Sequence, residues 1–373
     1  MRRAAAGLSL LTLLAGLAAS APAGLVSAQA PAASADSQKL DAMLEFVRGR
    51  NARDYAITSP NGIDEAKYVE VGGIEQWITI RGEDRSNPVL LFLHGGPGDA
   101  TNPWGYAGFR LWLKHFTVVQ WDQRGAGRTL GKNGSASAQT VSVNRLVQDG
   151  VELAALLTRS LGKRKVVLVG HSWGSTLGVL MAKARPELFY VFVGTGQVAD
   201  SAKNYAVAYD ALVRKAEALK DERALRELRA VGPPPYTNGQ GFGVQRKWAN
   251  FFEGADSFIA SMLGLALGAP GFTQRDMLDW FDGQGLSAER LVPETRVMPA
   301  AALAGEFAVP IFVIQGAEDF TTPTSLAKTF VDSIRAPSKE FVTIEGGHFA
   351  VFMKTAAFLD QLVPRVVPLA RER

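Results

Sequence analysis

Ser172 stands in the stretch Val169-Gly170-His171-Ser172-Trp173-Gly174-Ser175, between two glycines and behind the apolar run Val166-Val167-Leu168-Val169. A helical pattern, Trp173 to Ala184, follows it. Gly-x-Ser-x-Gly carries little meaning alone, but a strand, a sharp turn and a helix around it hold a serine hydroxyl clear of a sheet as a nucleophile. Glycines at 170 and 174 suit the tight strand–helix crossing, where a side chain would collide. A serine needs a base to become a nucleophile, and the chain has four histidines, His94, His115, His171 and His348. On such a turn the partners follow in the order serine, acid, histidine. His348 alone lies beyond Ser172, in Gly346-Gly347-His348, so it is the expected base. His171 is adjacent to the serine, but neighbouring side chains on a turn diverge, and it reads as a packing histidine.

The acid should follow the preceding strand, Ile311 to Gln315, which runs into Gly316-Ala317-Glu318-Asp319-Phe320-Thr321-Thr322-Pro323. Glu318 and Asp319 both have the chemistry. Asp319 is preferred, because it sits three residues past the turn glycine and before a Thr-Pro helix start. Its task is to fix the tautomer of His348 and stabilise the imidazolium. An oxyanion hole needs two backbone N–H groups aimed at the developing charge. Trp173, next after the nucleophile, supplies one. The loop His94-Gly95-Gly96-Pro97-Gly98, with Gly96 as donor, is expected to supply the other.

The elements that must position these residues alternate. Two strand-like runs, Tyr68 to Val71 and Ile74 to Ile80, flank Gly72-Gly73 as a hairpin. Continuous apolar runs at Pro88 to Leu93, Phe116 to Trp121, Lys165 to Val169, Phe189 to Val193 and Pro310 to Gln315 suit strands covered on both faces, as in a parallel sheet. A further strand is expected at Glu340 to Ile344. Helical periodicity marks Val141 to Leu161, capped by Thr140 or Ser142, and Ala350 to Val363. Strands alternating with helices imply a mostly parallel sheet with right-handed crossovers. From 196 to 304 the alternation stops, and charged helical segments with aromatics around Trp248 and Phe251-Phe252 suggest an inserted, mainly helical cap. The expected organisation is a linker and short helix over 29–64, a core over 65–195, the cap over 196–304, and the rest of the core over 305–373.

Composition sets the outer bounds. The chain has 373 residues, 47% hydrophobic and 20% charged, which is ordinary globular composition. Two of the charges behind its net +4 are Arg2 and Arg3, and no basic block with interleaved aromatics points to nucleic acid. Residues 1–28 read as a secretory signal: a basic pair, an apolar stretch Leu8 to Ala19, and small-residue exits at Ala28 or Ala30, of which Ala28 is preferred because Pro31 would abut the other cut. The apolar stretch is short for a spanning helix, so no stable membrane insertion is expected after cleavage. The protein is accordingly expected to be periplasmic or secreted. There is no cysteine, which excludes thiolate chemistry.

Taken in order, HGGPG at 94–98, WDQRGAGRT at 121–129, GHSWGS at 170–175, GAEDFTTP at 316–323 and GGH at 346–348 resemble the proline iminopeptidase family of α/β-hydrolases, over about Tyr68 to Val363 and excluding most of the cap. The resemblance implies an α/β-hydrolase fold and a serine hydrolase that works through an acyl-enzyme, with Ser172, Asp319 and His348 as its triad. The family's cap also carries Trp-x-x-Trp-Glu, whose glutamate holds the substrate's free amino group. Phe252-Glu253-Gly254-Ala255 is similar to the second half of that signature, with Trp248 one residue out of register. Glu253 is thus either an amino anchor or a solvated helix glutamate. Other departures are GHSWGS for the usual GGSWGS, QRGAGRT for QRGCGRS or QRGSGRS, and the stretch YVFVGTGQ after the Phe189 strand.

The expected activity is cleavage of an amide or ester in a small molecule or short peptide, foremost as an iminopeptidase-like aminopeptidase, with carboxylesterase or lactonase as the alternative. No cofactor and no metal is called for. A non-catalytic binding protein on this fold usually lacks a triad member, and epoxide hydrolysis would need aspartate at position 172.

Overall fold

The computed structural model describes residues 35–236 and 239–371. The expected signal segment, residues 1–28, lies outside the described residues. Helix α1 (Ala35–Asp54) begins in a separate short unit that ends at Met43, and from Leu44 onward the chain forms one compact unit.

Eight strands make a single sheet in that unit: β1 (Ile63–Val71), β2 (Ile74–Gly82), β3 (Val89–Leu93), β4 (Thr117–Trp121), β5 (Val166–His171), β6 (Phe189–Thr195), β7 (Ile311–Gly316) and β8 (Lys339–Ile344). The spatial order is β1-β2-β4-β3-β5-β6-β7-β8. The β1–β2 hairpin and the β2–β4 pair are antiparallel, and every other pair is parallel. Period-two alternation divides the strands between two faces. Leu91, Leu93, Val119, Trp121 and Leu168 pack on one side; Leu90, Phe92, Val118, Val167 and Val169 pack on the other. Both faces are covered by helices, which is why these strands read as unbroken apolar runs.

Between the strands lie α2 (Asn102–Gly108), α3 (Gly127–Ala138), α4 (Val143–Leu161) and α5 (Trp173–Ala184). Ser142 caps α4 by accepting from Arg145 N–H at 3.2 Å, and Gly162 ends it in a left-handed conformation. Helix α3 gave no sequence signal, because Gly-Arg-Thr-Leu-Gly-Lys-Asn-Gly has no apolar repeat and the helix is broken at Gly134. After β6 come α6 (Ser201–Leu219), α7 (Glu222–Val231), α8 (Gly239–Glu253), α9 (Ala255–Leu267), α10 (Gln274–Arg296) and α11 (Ala300–Leu303), and then β7. Part of this insert has its own core, in which Tyr209, Leu212, Leu225, Leu228 and Trp248 pack with Phe320 of the sheet's edge loops. Helix α12 (Thr324–Ser333) follows β7. The single closing helix expected at Ala350 to Val363 is instead two, α13 (Ala350–Met353) and α14 (Thr355–Ala370), separated at Lys354. Strand β1 begins at Ile63, five residues earlier than its apolar pattern, because its solvent-facing half is polar.

The strand order turns at β3: β4 lies to one side of it and β5 to the other. The loops after β3 and β5 therefore face each other across a crevice at the carboxyl ends of the strands, where open α/β sheets bind ligands. The loops after β6, β7 and β8 line up beside them.

Candidate active site

Ser172 sits between β5 and α5 with φ 54 and ψ −121. A positive φ in a residue with a side chain is strained, and the fold holds it by crowding. A Cβ on Gly174 would lie 2.1 Å from the Leu93 carbonyl oxygen, and one on Gly170 would lie 2.2 Å from that of Gly174. Ser172 N–H donates to Thr195 O at 3.0 Å, and Ser175 Oγ donates to Ser172 O at 2.6 Å. The turn is tied on both sides, and the serine is left partly exposed in a buried neighbourhood.

His348 Nε2 is 3.0 Å from Ser172 Oγ, and its Nδ1 is 3.0 Å from Asp319 Oδ2. An ionised carboxylate only accepts, so Nδ1 carries the proton and Nε2 presents its lone pair to the serine hydroxyl. Five donors converge on Asp319. Thr321 and Thr322 N–H reach Oδ1 at 2.8 and 2.7 Å. Gln315 Nε2 and Thr322 Oγ1 reach Oδ2 at 2.9 and 2.8 Å, beside His348. Burial would raise the carboxyl's pKa, but the charge and hydrogen bond of His348 together with the Thr322 donors outweigh it and hold it below its ordinary value. Glu318, the other acid of this loop, instead pairs with Lys215 at 2.6 Å.

The loop after β3 lies against Ser172: a Cβ on Gly95 would be 3.2 Å from Ser172 Cβ. Gly96, exposed and at φ 108, precedes a cis bond to Pro97. Buried His94 makes contacts through both ring nitrogens, with Nδ1 2.9 Å from Gly95 O and Nε2 accepting from Gln123 N–H at 3.4 Å. Burial lowers its pKa to about 4, so it is neutral. Holding the Gly95 carbonyl fixes the plane of the peptide whose other end is the Gly96 N–H. Trp173 N–H opens α5, among the first amides of a helix that no intrahelical carbonyl can reach. Its indole donates to Gln123 Oε1 at 3.0 Å. The arrangement can bind an anion at the helix start next to an activated hydroxyl.

His171 is more than a packing histidine. Its Nε2 donates to the main-chain oxygen of His348 at 3.0 Å, and burial together with the neighbouring His348 lowers its pKa to about 3. Glu253, at the end of α8, is partly buried and its carboxyl group turns inward. Its Oε1 accepts from Phe320 N–H and its Oε2 from His348 N–H, both at 2.7 Å. Burial and the charge of Asp319 raise its pKa to about 7. Trp248 is buried in the insert's core, its Nε1 3.0 Å from Glu227 Oε2.

Gln315, Thr322 and Gln123 were not singled out from the sequence. Gln315 had a signal: a polar side chain closing an otherwise apolar strand buried on both faces. The WDQRG stretch is mostly architectural. Asp122 accepts from Asn102 Nδ2 and Arg128 N–H at 2.6 and 2.9 Å, and Arg124 forms a buried pair with Asp149 at 2.7 Å. A separate cavity of about 320 Å³, lined among others by Trp77, Arg81, Tyr106, Gln120 and Phe272, is not bordered by any triad residue.

Comparison with known proteins bears on the fold and family. Residues 88–355 match the family described as alpha/beta hydrolase fold. The chain is 30% identical over 288 residues to a Bacillus subtilis protein named probable aminopeptidase YbaC, covering 75% of this chain and 88% of that one. It is 36% identical to a probable proline iminopeptidase of Streptomyces coelicolor over 132 residues, 34% of this chain and 38% of that one. Among solved structures, a proline iminopeptidase-related protein of Thermus thermophilus superposes with a TM-score of 0.58 at 20% identity, covering 82% of this chain and 99% of that one.

Proposed function

The chain belongs to the α/β-hydrolase family, and from that premise we propose that it is a serine hydrolase that cleaves an amide or ester through an acyl-enzyme, foremost as an aminopeptidase of the iminopeptidase kind. The observation that carries this reading is His348 bridging Ser172 Oγ and Asp319 Oδ2 at 3.0 Å each, with the serine in a strained turn. Ser172 Oγ attacks the carbonyl carbon as its proton passes to His348 Nε2. Asp319 stabilises the imidazolium and stays ionised. The oxyanion is held by the N–H groups of Gly96 and Trp173. His348 returns the proton to the leaving amine or alcohol, and water, deprotonated by the same nitrogen, releases the acid and the serine.

The aminopeptidase reading draws on the relative named probable aminopeptidase. We also propose that the protein acts outside the cytoplasm, on the strength of its N-terminal residues; N-terminal sequencing of the exported protein should begin at Gln29. A fluorophosphonate probe tests the nucleophile: it should add its mass to the wild type and not to Ser172→Ala. Turnover of prolyl and alanyl arylamides against short acyl esters tests the substrate class. Activity confined to esters would move the reading to a carboxylesterase.

A further inference from the structure

The loops that carry the acid and the base are joined by the sheet ladder only up to a point. Beyond β7 and β8, Ala317 N–H still donates to Ile344 O and Glu318 N–H to Gly346 O, each at 2.9 Å. There the ladder ends, one residue short of Asp319 and two short of His348. Past it the Asp319 N–H turns to Thr324 Oγ1 at 3.4 Å, while Phe320 N–H and His348 N–H donate to the two oxygens of one side chain from another part of the fold, Glu253 of α8, each at 2.7 Å. The fit leaves no slack: a Cβ on Gly347 would meet Glu253 Cγ, Cδ and Oε2 at 2.4 to 2.5 Å. The rest of the insert grips the acid loop at adjoining points. Arg246 Nη1 donates to Thr321 Oγ1 at 2.8 Å, and Asn204 Nδ2 donates to Thr321 O at 2.6 Å.

We propose that Glu253 is a positioning residue, a clamp carried by the helical insert that holds the acid loop and the base loop at the spacing required by the His348–Asp319 hydrogen bond. Seating of α8 and assembly of the triad are then a single event. Lifting α8 removes the acceptor from both amides at once and frees His348 to drift from Asp319 and Ser172. The His348 backbone is held from two sides, its N–H by Glu253 and its carbonyl by His171. This role rests on the serine-hydrolase reading and differs from that of an anchor for a substrate amine. A clamp acts on every substrate; an anchor acts only on those with an amine.

The test uses the full-length protein and its Glu253→Gln and Gly347→Ala variants. Glutamine keeps the shape but can accept from only one of the two amides, and alanine at 347 forces the carboxylate away. With a clamp, kcat falls about tenfold to a hundredfold in Glu253→Gln on amine-bearing arylamides and on amine-free acyl esters alike, with KM little changed. The fluorophosphonate labelling rate falls by the same factor while the final labelled fraction stays complete, which separates misplacement from loss of folded enzyme. Gly347→Ala reproduces the loss, and the double variant is no worse than the more impaired single one. Wild-type labelling rates in Glu253→Gln, or a loss confined to amine-bearing substrates, overturn the clamp. Failure of the wild type itself to react with the probe would instead remove the serine-hydrolase reading.

Discussion

His171 Nε2 donates to the main-chain oxygen of His348 at 3.0 Å, and the two imidazole rings lie 4.8 Å apart. The histidine beside Ser172 therefore holds the backbone of the histidine that faces the Ser172 hydroxyl. With its pKa lowered to about 3 by burial and by His348, it keeps a single ring proton at ordinary pH, and that proton is committed to the carbonyl. His171→Phe keeps a planar ring and removes the donor. Its kcat should fall about tenfold or more with KM little affected, measured by steady-state kinetics; an unchanged kcat would show the contact to be idle.

Ser172→Ala should leave a folded protein whose kcat is lower by about ten-thousandfold or more. Asp319→Asn should lose about ten-thousandfold in kcat, because an amide at this place lets His348 hold its proton on the wrong nitrogen. Stopped assays with purified variants, checked by circular dichroism, decide both. A loss of only severalfold for Asp319→Asn would point to Glu318 as the acid, against the geometry.

Gln315 Nε2 donates to Asp319 Oδ2 while Gln315 Oε1 accepts from Gln197 N–H, both at 2.9 Å. Gln315→Leu leaves both partners short of a hydrogen bond in a buried site, which costs about 1–3 kcal/mol each. The Asp319 carboxyl is held below its ordinary value, so its contribution to stability is full above the unfolded pKa near 3.8 and is lost as pH falls through the folded one. Without the glutamine donor the folded pKa moves back toward the unfolded one, so that loss should be smaller and complete at higher pH. Thermal melts of wild type and variant between pH 3 and 7 measure it, and parallel curves would count against it.

Glu253 has the opposite sign. Its pKa is raised from 4.5 to about 7, chiefly by burial and then by Asp319, with His348 and the two amides opposing. Between those values the unfolded chain has released the proton and the folded one keeps it, so stability falls as pH rises from about 4.5 to about 7. Neutral His171 and His94 oppose this below pH 6.5, where the unfolded chain protonates them. The difference in melting temperature between Glu253→Gln and wild type isolates the glutamate: it should shift in favour of the variant across that window. A pH-independent difference would contradict the assignment.

Much of the site was legible because its residues sit at ends of strands. Ser172 and Asp319 follow β5 and β7, whose apolar runs buried on both faces locate their ends from composition alone, while His348 follows β8, a half-exposed edge strand. Gly170 and Gly174 were legible for a related reason, since crowding at 2.1 to 2.2 Å leaves glycine as the residue that fits. What periodicity missed was polar or irregular: α3, with its three glycines over Gly127–Gly134, and the solvent-facing start of β1. Gln315 reads in the sequence as the end of a strand, whereas its amide donates to the Asp319 carboxylate.

The sequence by itself determined the order of elements and singled out Ser172, Asp319 and His348 as the candidates, because each depends on local pattern and on chain order. Only the tertiary structure decided what Glu253 and His171 touch. Glu253 meets His348 across 95 positions and His171 meets its carbonyl across 177. No periodicity encodes contacts of that kind. They exist because the fold sets the ends of β5, β7 and β8 side by side and lays α8 over the last two, where two loop amides beyond the sheet ladder find the Glu253 side chain as their acceptor.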